Sequence, residues 1–468
     1  MGVIARLAEG AEVPLFLVVG AGGRLAADDL HLRRGVRVVD TPHAAALLVV
    51  VGRITRALLH PALVVHDQLP LPRATLWMPT DTEGDADPGG LMAAFPAVTT
   101  ADVGNADELR TVFADLVSGR RPSDPPALPD MEPAHWRGVG PYGHGGAGMT
   151  GGVPFGRPLP SRAPDPDGLE LDQLPLQLGP LHPALPPGLV LHVGLQGDVV
   201  RQVAVGTNPY QVWPDDPSPG PLDTALFVDA LCAATPVADL ELARARHHLR
   251  WASQVLRLQG LGALGRRLAI LAGSLTVGDR GTVESLSRRL TKRRSLAWAM
   301  AGVGVADGEL LDGLEARLVT GPVRRAAGQA EDARDHDPAY EGLGFEPVVH
   351  READAWARFR QRLAEATQAM DLAERAGTRL RQPGPALEGP RGTLHPDTAM
   401  PTTALLELLP DLLAGMEWGD AVTTVASLDL DVEEAALPTL TPASGSRMVG
   451  IPAAPDYQNG GGGARTSP

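Results

Sequence analysis

Between residues 318 and 376 the chain passes from a run of turn formers into one strong helical pattern, and this stretch limits the fold more than any other. Gly321, Pro322 and Gly328 interrupt regular structure, and Asp337 with Pro338 breaks the pattern again before Tyr340, Gly342 and Gly344. From Asp354 onward Trp356, Phe359, Leu363, Ala366, Met370 and Ala373 recur at three- and four-residue steps, while Arg358, Arg360, Arg362, Glu365 and Glu374 fill the other face. The spacing predicts one amphipathic helix of about 20 residues, its apolar stripe docked on a larger body. The rest of the chain has to supply that body.

At 468 residues it is long enough for two or more domains with cores of their own. A net charge of -15 and a pI near 5.3 leave no basic surplus to neutralise phosphates, so no nucleic-acid partner is expected. Lys292 is the only lysine, and all other fixed positive charge is arginine. The sequence has no run of eighteen apolar residues and does not start with the order of a signal peptide. The expectation is a cytoplasmic protein, peripheral on the inner face of the cell membrane through its partners. Cysteine use is more restrictive. Cys232 stands alone, so the chain can form no internal disulfide, no four-thiolate iron-sulfur cluster and no all-cysteine nickel-iron site. In its helical setting, "ALCAAT", it reads as a small core residue.

In chain order, residues 13–19, 36–39, 45–51 and 74–78 read as buried strands and 105–117 as a helix. That alternation predicts a small α/β domain with a mostly parallel sheet over residues 1–120. The acidic loop after Met78 reads as solvated, not as a cation site. Residues 121–174 turn to proline and glycine and read as a connecting loop. Its glycines between 138 and 156 lack the Gly-Lys-Ser/Thr of a phosphate loop, while Trp136, Tyr142, Met149 and Phe155 favour ordered packing on the body or a partner. Segments 189–194 and 199–205, joined through Gln196-Gly197-Asp198, predict a β-hairpin. Residues 221–273 are helical. His247 and His248, being adjacent, point to different sides of their helix and cannot share a metal. "LSRRLTKRRSLAW" gathers Arg288, Arg289, Lys292, Arg293 and Arg294, either a solvated helix face or a docking patch for an acidic partner or an anionic membrane rim. The tail, 439–468, is rich in Pro, Gly, Ser and Ala and is expected to be disordered.

The order T-G-P-x-x-R-x-x-G from Thr320, D-x-R from Asp332, P-x-Y from Pro338, Phe345, and D-A-W-A-R-x-x-x-R-L-x-E from Asp354 resembles the nickel-iron hydrogenase large-subunit family. Within that family it is most similar to the D subunit of NADH-quinone oxidoreductase, respiratory complex I. E-x-P-R-G from Glu388, L-L-x-G from Leu412 and A-S-L-D from Ala426 continue the resemblance, and Gly179, Pro180, His182 and Pro183 match the family's opening G-P-x-H-P. Upstream, G-V-x-x-V-D-x-P from Gly35 and H-D-Q-L-P-x-P from His66 resemble the B subunit of the same complex over residues 13–118. The fold this implies is a B-like α/β domain fused to a mainly helical α+β, hydrogenase large-subunit-like domain, residues 175–438, that opens with a β-hairpin.

The departures matter as much as the matches. The loops that carry cluster cysteines in the B subunit read GAGGRL, PTDTEG and TTADVGNADEL, without a thiol. The family's second histidine, which helps protonate the quinone head group, falls at Pro186, with Gly188 displaced by one residue. After Asp429 neither the last nickel thiolates of hydrogenases nor the Asp-Arg terminus of the D subunit follows; Asp431, Glu433 and Glu434 do. The resemblance therefore implies a redox-inactive subunit of a complex I-like or hydrogenase-like membrane assembly, binding no cofactor itself. Its partners would be membrane subunits of the proton-channel or antiporter type and other hydrophilic subunits. The residues placed at the cavity or a partner are Thr320, Gly321, Pro322, Arg324, Arg325, Gly328, Glu388, Pro390 and Arg391, with Arg324 and Arg391 carrying charges that ask for a partner. The alternative is a divergent oxidoreductase subunit that still binds quinone and takes electrons from a cluster in another chain, with His182 and Tyr210 as proton donors. The resemblance would also attach NAD, but no G-x-G-x-x-G follows a strand.

Overall fold

A computed structural model describes residues 11–80, 90–101, 106–130, 162–164, 168–211, 222–313 and 319–437. Strand β1 (Val13–Val19) pairs in parallel with β2 (Val36–Val38) and with β3 (Leu47–Val51). Strand β4 (Ala74–Met78) pairs in parallel with β3 on one side and with β5 (Val98–Thr100) on the other. The order is β2-β1-β3-β4-β5. Between these strands and after them run α1 (Arg24–Leu30), α2 (Arg56–Gln68) and α3 (Ala106–Val117). Every residue of β3 is buried, which is why it reads as an unbroken apolar run and not as an alternation.

The two faces of this sheet serve different cores. Leu15, Leu47, Val49 and Val51 pack with Leu30 of α1 and with Leu109, Phe113 and Leu116 of α3. Phe16, Val18, Leu48 and Val50 belong to a second core with Leu58 of α2 and with Leu191, Leu408, Leu412 and Leu428 from the other half of the chain. The parallel sheet and the second half thus share one apolar interior. Two elements here give no separate sequence signal: β5 is three residues long, and α2 carries Pro61 inside it.

A second sheet is antiparallel, in the order β6 (Arg162–Pro164), β7 (Glu170–Leu178), β8 (Leu191–Gln196) and β9 (Val199–Val205). β8 and β9 are the predicted hairpin, turned at Gly197 with φ +63. β6 and β7 fall in or across the stretch that reads as a connection. The strand β7 is mostly exposed and carries Pro175, so its sequence lacks the apolar alternation of a buried strand. The Gly-rich segment with Trp136, Tyr142, Met149 and Phe155, and the tail from 439, lie outside the described residues, as does most of the acidic loop after Met78.

The remaining body is helical: α4 (Ala225–Cys232), α5 (Val237–Leu258), α6 (Gly262–Gly273), α7 (Arg280–Thr291), α8 (Arg294–Met300), α9 (Gly308–Gly313), α10 (Pro322–Ala326), α11 (Ala355–Ala376), α12 (Pro401–Leu413) and α13 (Trp418–Leu428). Two short strand pairs tie loops together, β10 (Thr235–Pro236) with β11 (Leu380–Arg381) and β12 (Leu387–Glu388) with β13 (Thr393–Leu394). The helix expected from Asp354 is α11, 22 residues long, and the Asp354 carboxylate caps it by accepting the Ala357 N–H at 2.7 Å. Its apolar stripe packs on Leu249, Trp251 and Val255 of α5 and on residues of α6, α7 and α8. Its charged face is only partly solvated: Arg360 is half-buried and Glu374 is exposed. Arg358, Arg362 and Glu365 are as buried as Phe359 and Leu363, because α11 runs through the middle of the helical body.

Cys232 corrects the sequence reading of a core thiol. It is the last residue of α4 and is exposed, while Phe227, Ala230 and Leu231 form the buried side. Among the described residues no helix is long and apolar enough to cross a membrane.

Candidate functional site, a cavity bounded by buried ion pairs

The strand order reverses between β1 and β3, and open parallel sheets bind ligands at such a point, outside the carboxyl ends of the strands. Here the chain closes that crevice with its own residues. The loops after β1 and β3 lie backbone to backbone: Ala21 and Arg53 exchange hydrogen bonds of 2.8 and 2.9 Å. A Cβ on Gly20 would stand 2.3 Å from the Arg53 carbonyl oxygen. Glu433 accepts the Gly22 N–H at 2.8 Å, and Tyr210 donates its hydroxyl to the Val19 carbonyl at 2.8 Å. The loop after β1 offers no thiolate and is packed against Arg53 and Glu433, so its residues do not fit an iron-sulfur cluster.

Beside the closed crevice lies an open cavity of about 790 Å³. One wall is β1 and α1, with Phe16, Arg24 and Asp28. The facing walls are the loop 180–187, the second half of α5 with Trp251 and Gln254, and residues 426–430. The lining is mostly apolar, which suits an organic small molecule more than a small ion.

Several of its polar groups are perturbed. His182 sits in the proline-rich loop with Nδ1 accepting the Ala184 N–H at 3.3 Å, and its ring meets Trp418 edge-on at 6.0 Å. Burial lowers its pKa, so near neutral pH it is an uncharged imidazole with its proton on Nε2. Burial and then Arg257 push His31 down to about 3. Asp28 accepts from Gln254 at 3.0 Å on both oxygens, and burial raises its carboxyl against the opposing pull of Arg257.

Tyr210 does not line the cavity. Burial, reinforced by Glu433 and Asp431, holds its phenol well above the ordinary value, and its hydroxyl ties the second half of the chain to β1.

Arg24 and Asp429 belong to the cavity wall and also to a buried charge cluster. Arg391 forms a bidentate pair with Asp223 at 2.8 and 2.9 Å and reaches Glu434 at 3.0 Å. Its Nε donates to the Asp429 carbonyl at 3.0 Å. Asp429 accepts from His247 Nε2 at 2.7 Å and pairs with Arg362 at 3.1 Å. Arg24 pairs with Asp431 at 3.1 Å. Although burial opposes it, Arg391 and His247 hold both Asp223 and Asp429 below the usual carboxylate range. Glu433 and Glu434 go the other way. Burial, with Asp431 alongside, pushes Glu433 up to about 8, and burial outweighs Arg391 to push Glu434 up to about 7.

A second cluster surrounds Arg325, which bonds Glu365 and Glu388 at 2.8 Å and pairs with Asp332 at 3.0 Å. Arg334 bridges Asp332 at 2.8 Å and Glu241 at 3.1 Å, and Tyr340 donates to Glu241 at 2.6 Å. His248 Nε2 lies 3.4 Å from Glu365, and burial pushes its pKa to about 3. His247 and His248 therefore serve different clusters.

The nine residues expected at the cavity or a partner come together, but none of them lines this cavity. Arg325, Glu388, Pro390 and Arg391 are buried; Gly321, at φ +76, packs so that a Cβ would lie 2.6 Å from the Arg391 carbonyl oxygen. Thr320 accepts the Thr393 N–H at 2.9 Å, and Arg324, on α10 after Pro322, pairs with Asp312 at 2.9 Å. Gly328 follows α10 and is exposed. The partners of Arg391 are internal carboxylates. Sequence reasoning missed Arg24, Asp28, His31 and Asp223, which only the tertiary fold gathers. One signal was present: His247 falls in the apolar stripe of α5, where an imidazole needs a buried partner.

These features define a two-sheet, helix-rich protein organised around buried ion-pair clusters beside an apolar cavity. Residues 280–404 match the family described as respiratory-chain NADH dehydrogenase, 49 Kd subunit. The chain is 42% identical over 96 residues to the first of the D subunits of NADH-quinone oxidoreductase in Salinispora tropica, a match that covers 20% of this chain and 21% of that protein. It is 39% identical over 88 residues to the NADH-quinone oxidoreductase D subunit of Mycobacteroides abscessus, covering 18% and 19%. The chain thus spans about a fifth of the length of the curated relatives it matches. A chain of the membrane-bound sulfane sulfur reductase, an archaeal respiratory membrane complex, superposes with a TM-score of 0.44 at 18% identity, covering 57% of this chain and 99% of that one. The residues that match the 49 Kd subunit family run from α7 through α11 and include the Glu388–Arg391 loop.

Proposed function

We propose that this chain is a peripheral, redox-inactive subunit of a complex I-like or hydrogenase-like membrane assembly. Its first 120 residues act as a B-like half fused to a D-like half, and it docks on membrane subunits of the proton-channel or antiporter type. The observation that carries this reading is the Arg391, Asp223 and Asp429 cluster. The arginine of the E-x-P-R-G motif pairs with Asp223 and Glu434 and bonds the Asp429 carbonyl, while the aspartate of A-S-L-D faces Arg24 of the first half at 3.7 Å. After Asp429, where the resemblance to hydrogenases places nickel thiolates, the chain has internal ion pairs, and its single thiol sits at the exposed end of α4. A fused chain also fixes the ratio of its halves and raises their effective concentration. The test is to tag the chain in its native host, solubilise membranes in mild detergent and identify what co-purifies. Stoichiometric antiporter-type subunits without iron-sulfur proteins support the reading. Cluster- or flavin-bearing partners favour the alternative below, and recovery of the chain alone from the soluble fraction overturns both.

The cavity favours a second reading, a subunit that still binds a quinone. Its volume lies in the range of small-molecule sites, and His182 presents a neutral ring there. Pro186 in place of a second proton donor argues for binding over reduction. Saturable binding of a short-chain quinone, abolished by Ala27→Trp in the cavity wall, supports it; no binding at solubility-limited quinone concentration refutes it.

A further inference from the structure

We propose that the outer face of α7 and α8 is a docking surface for the anionic lipid headgroups of a membrane leaflet. Trp298 is 89% exposed, the most exposed large apolar side chain among the described residues. It is not a loop accident. Leu296 and Met300 hold α8 to the body, and this turns Arg294, Ser295 and Trp298 outward together, since positions four apart share a helix face. On α7, Val283, Ser287 and Leu290 are the buried side, leaving Arg288, Arg289 and then Lys292 exposed. Arg288 is paired with Glu284 at 2.7 Å. Arg289, Lys292, Arg293 and Arg294 form no ion pair among the described residues.

Charge complementarity selects the occupant. The protein carries 56 acidic against 41 basic residues, yet among the described residues four cations within six consecutive positions find no ion-pair partner. A surface that answers them is polyanionic. The indole decides between a lipid leaflet and an acidic protein. Trp298 stands on the exposed face of α8, where it would enter the boundary between headgroups and acyl chains while arginine and lysine stems reach phosphates. Each basic side chain near an anionic leaflet raises partitioning about fivefold at low salt. The surface is carried on α7, whose buried face packs on α11, so it is presented as a rigid unit.

This inference does not rest on the proposed subunit role, because vesicles contain no protein. The full chain should co-sediment with phosphatidylcholine vesicles containing phosphatidylglycerol, release on raising salt, and ignore pure phosphatidylcholine. Lys292→Glu with Arg293→Glu should lower partitioning more than twentyfold, and Trp298→Ala several-fold. These positions are exposed, and circular dichroism checks that the variants remain folded. Brominated lipid should quench tryptophan emission in the parent chain and not in Trp298→Ala. Absence of binding to anionic vesicles, or binding that both variants retain, overturns the proposal. So does a patch that captures an acidic protein in lipid-free detergent while leaving vesicles unbound.

Discussion

Glu433→Gln isolates one proton in the closed crevice. The Glu433 carboxyl is held by the Gly22 N–H, and burial, with Asp431 beside it, raises its pKa from 4.5 to about 8. Glu434 is raised to about 7. A carboxyl whose folded pKa is raised keeps its proton after the unfolded chain has lost it. Folded stability therefore falls as pH rises from 4.5 to the folded value, by about 1.4 kcal/mol per pH unit and group. His31 and His248, pushed down to about 3, have the opposite sign: below 6.5 the unfolded chain gains protons that the folded one refuses, so stability falls with falling pH. Asp223 and Asp429, depressed by their arginines, lose their contribution only in acid, below the ordinary carboxylate value of 3.8. The clean window is therefore above pH 6.5. From there to about pH 8, Glu433 should withdraw about 2 kcal/mol and Glu434 about 0.7 kcal/mol. Glutamine keeps an acceptor for Gly22 and has nothing to ionise, so the total fall should shrink from nearly 3 to below about 1 kcal/mol. Urea midpoints at several pH values in the window measure it. A parent protein whose stability is level or rises with pH there, or a variant with the same slope as the parent, refutes the assignment.

Three further outcomes follow from the buried clusters and the exposed thiol. Arg325→Met leaves Glu365, Glu388 and Asp332 without their shared cation and should cost about 3–5 kcal/mol in denaturant unfolding, partly restored by adding Glu365→Gln. Gly321→Ala places a methyl at positive φ, 2.6 Å from the Arg391 carbonyl oxygen, and should destabilise by at least about 1–3 kcal/mol in the same assay. Cys232 should react with a thiol reagent in the native protein nearly as fast as in the unfolded chain, since it is exposed; a reaction that waits for unfolding would return it to the core.

Much of the backbone was legible in advance. The strands β1, β3 and β4, the hairpin β8–β9 and α11 all declare themselves through apolar spacing, because local side-chain direction is set by helix and strand periodicity. β6 and β7 were not legible: a mostly exposed strand with an internal proline has no such period. Cys232 misled for a related reason. An Ala-rich helix end does not say which way its last residue faces.

The candidate site was legible only in fragments. The E-x-P-R-G and T-G-P motifs mark a loop cluster that the structure does bring together, yet the cavity is built from α1, α5 and the 180–187 loop instead. His182 was found from its motif; Arg24, Asp28 and His31 carry no local pattern at all.

By itself the sequence determined what short-range physics can reach: the parallel-sheet alternation, the long helix, the excess of acid, and a thiol count too small for any all-cysteine centre. Only the tertiary structure decided that α11 buries Arg358, Arg362 and Glu365 as well as its apolar stripe. Arg391 meets Asp223 across 168 residues of chain, and His247 meets Asp429 across 182. Whether a charged side chain faces water or a counter-ion depends on which distant element packs over it, and periodicity along one helix contains no record of that neighbour.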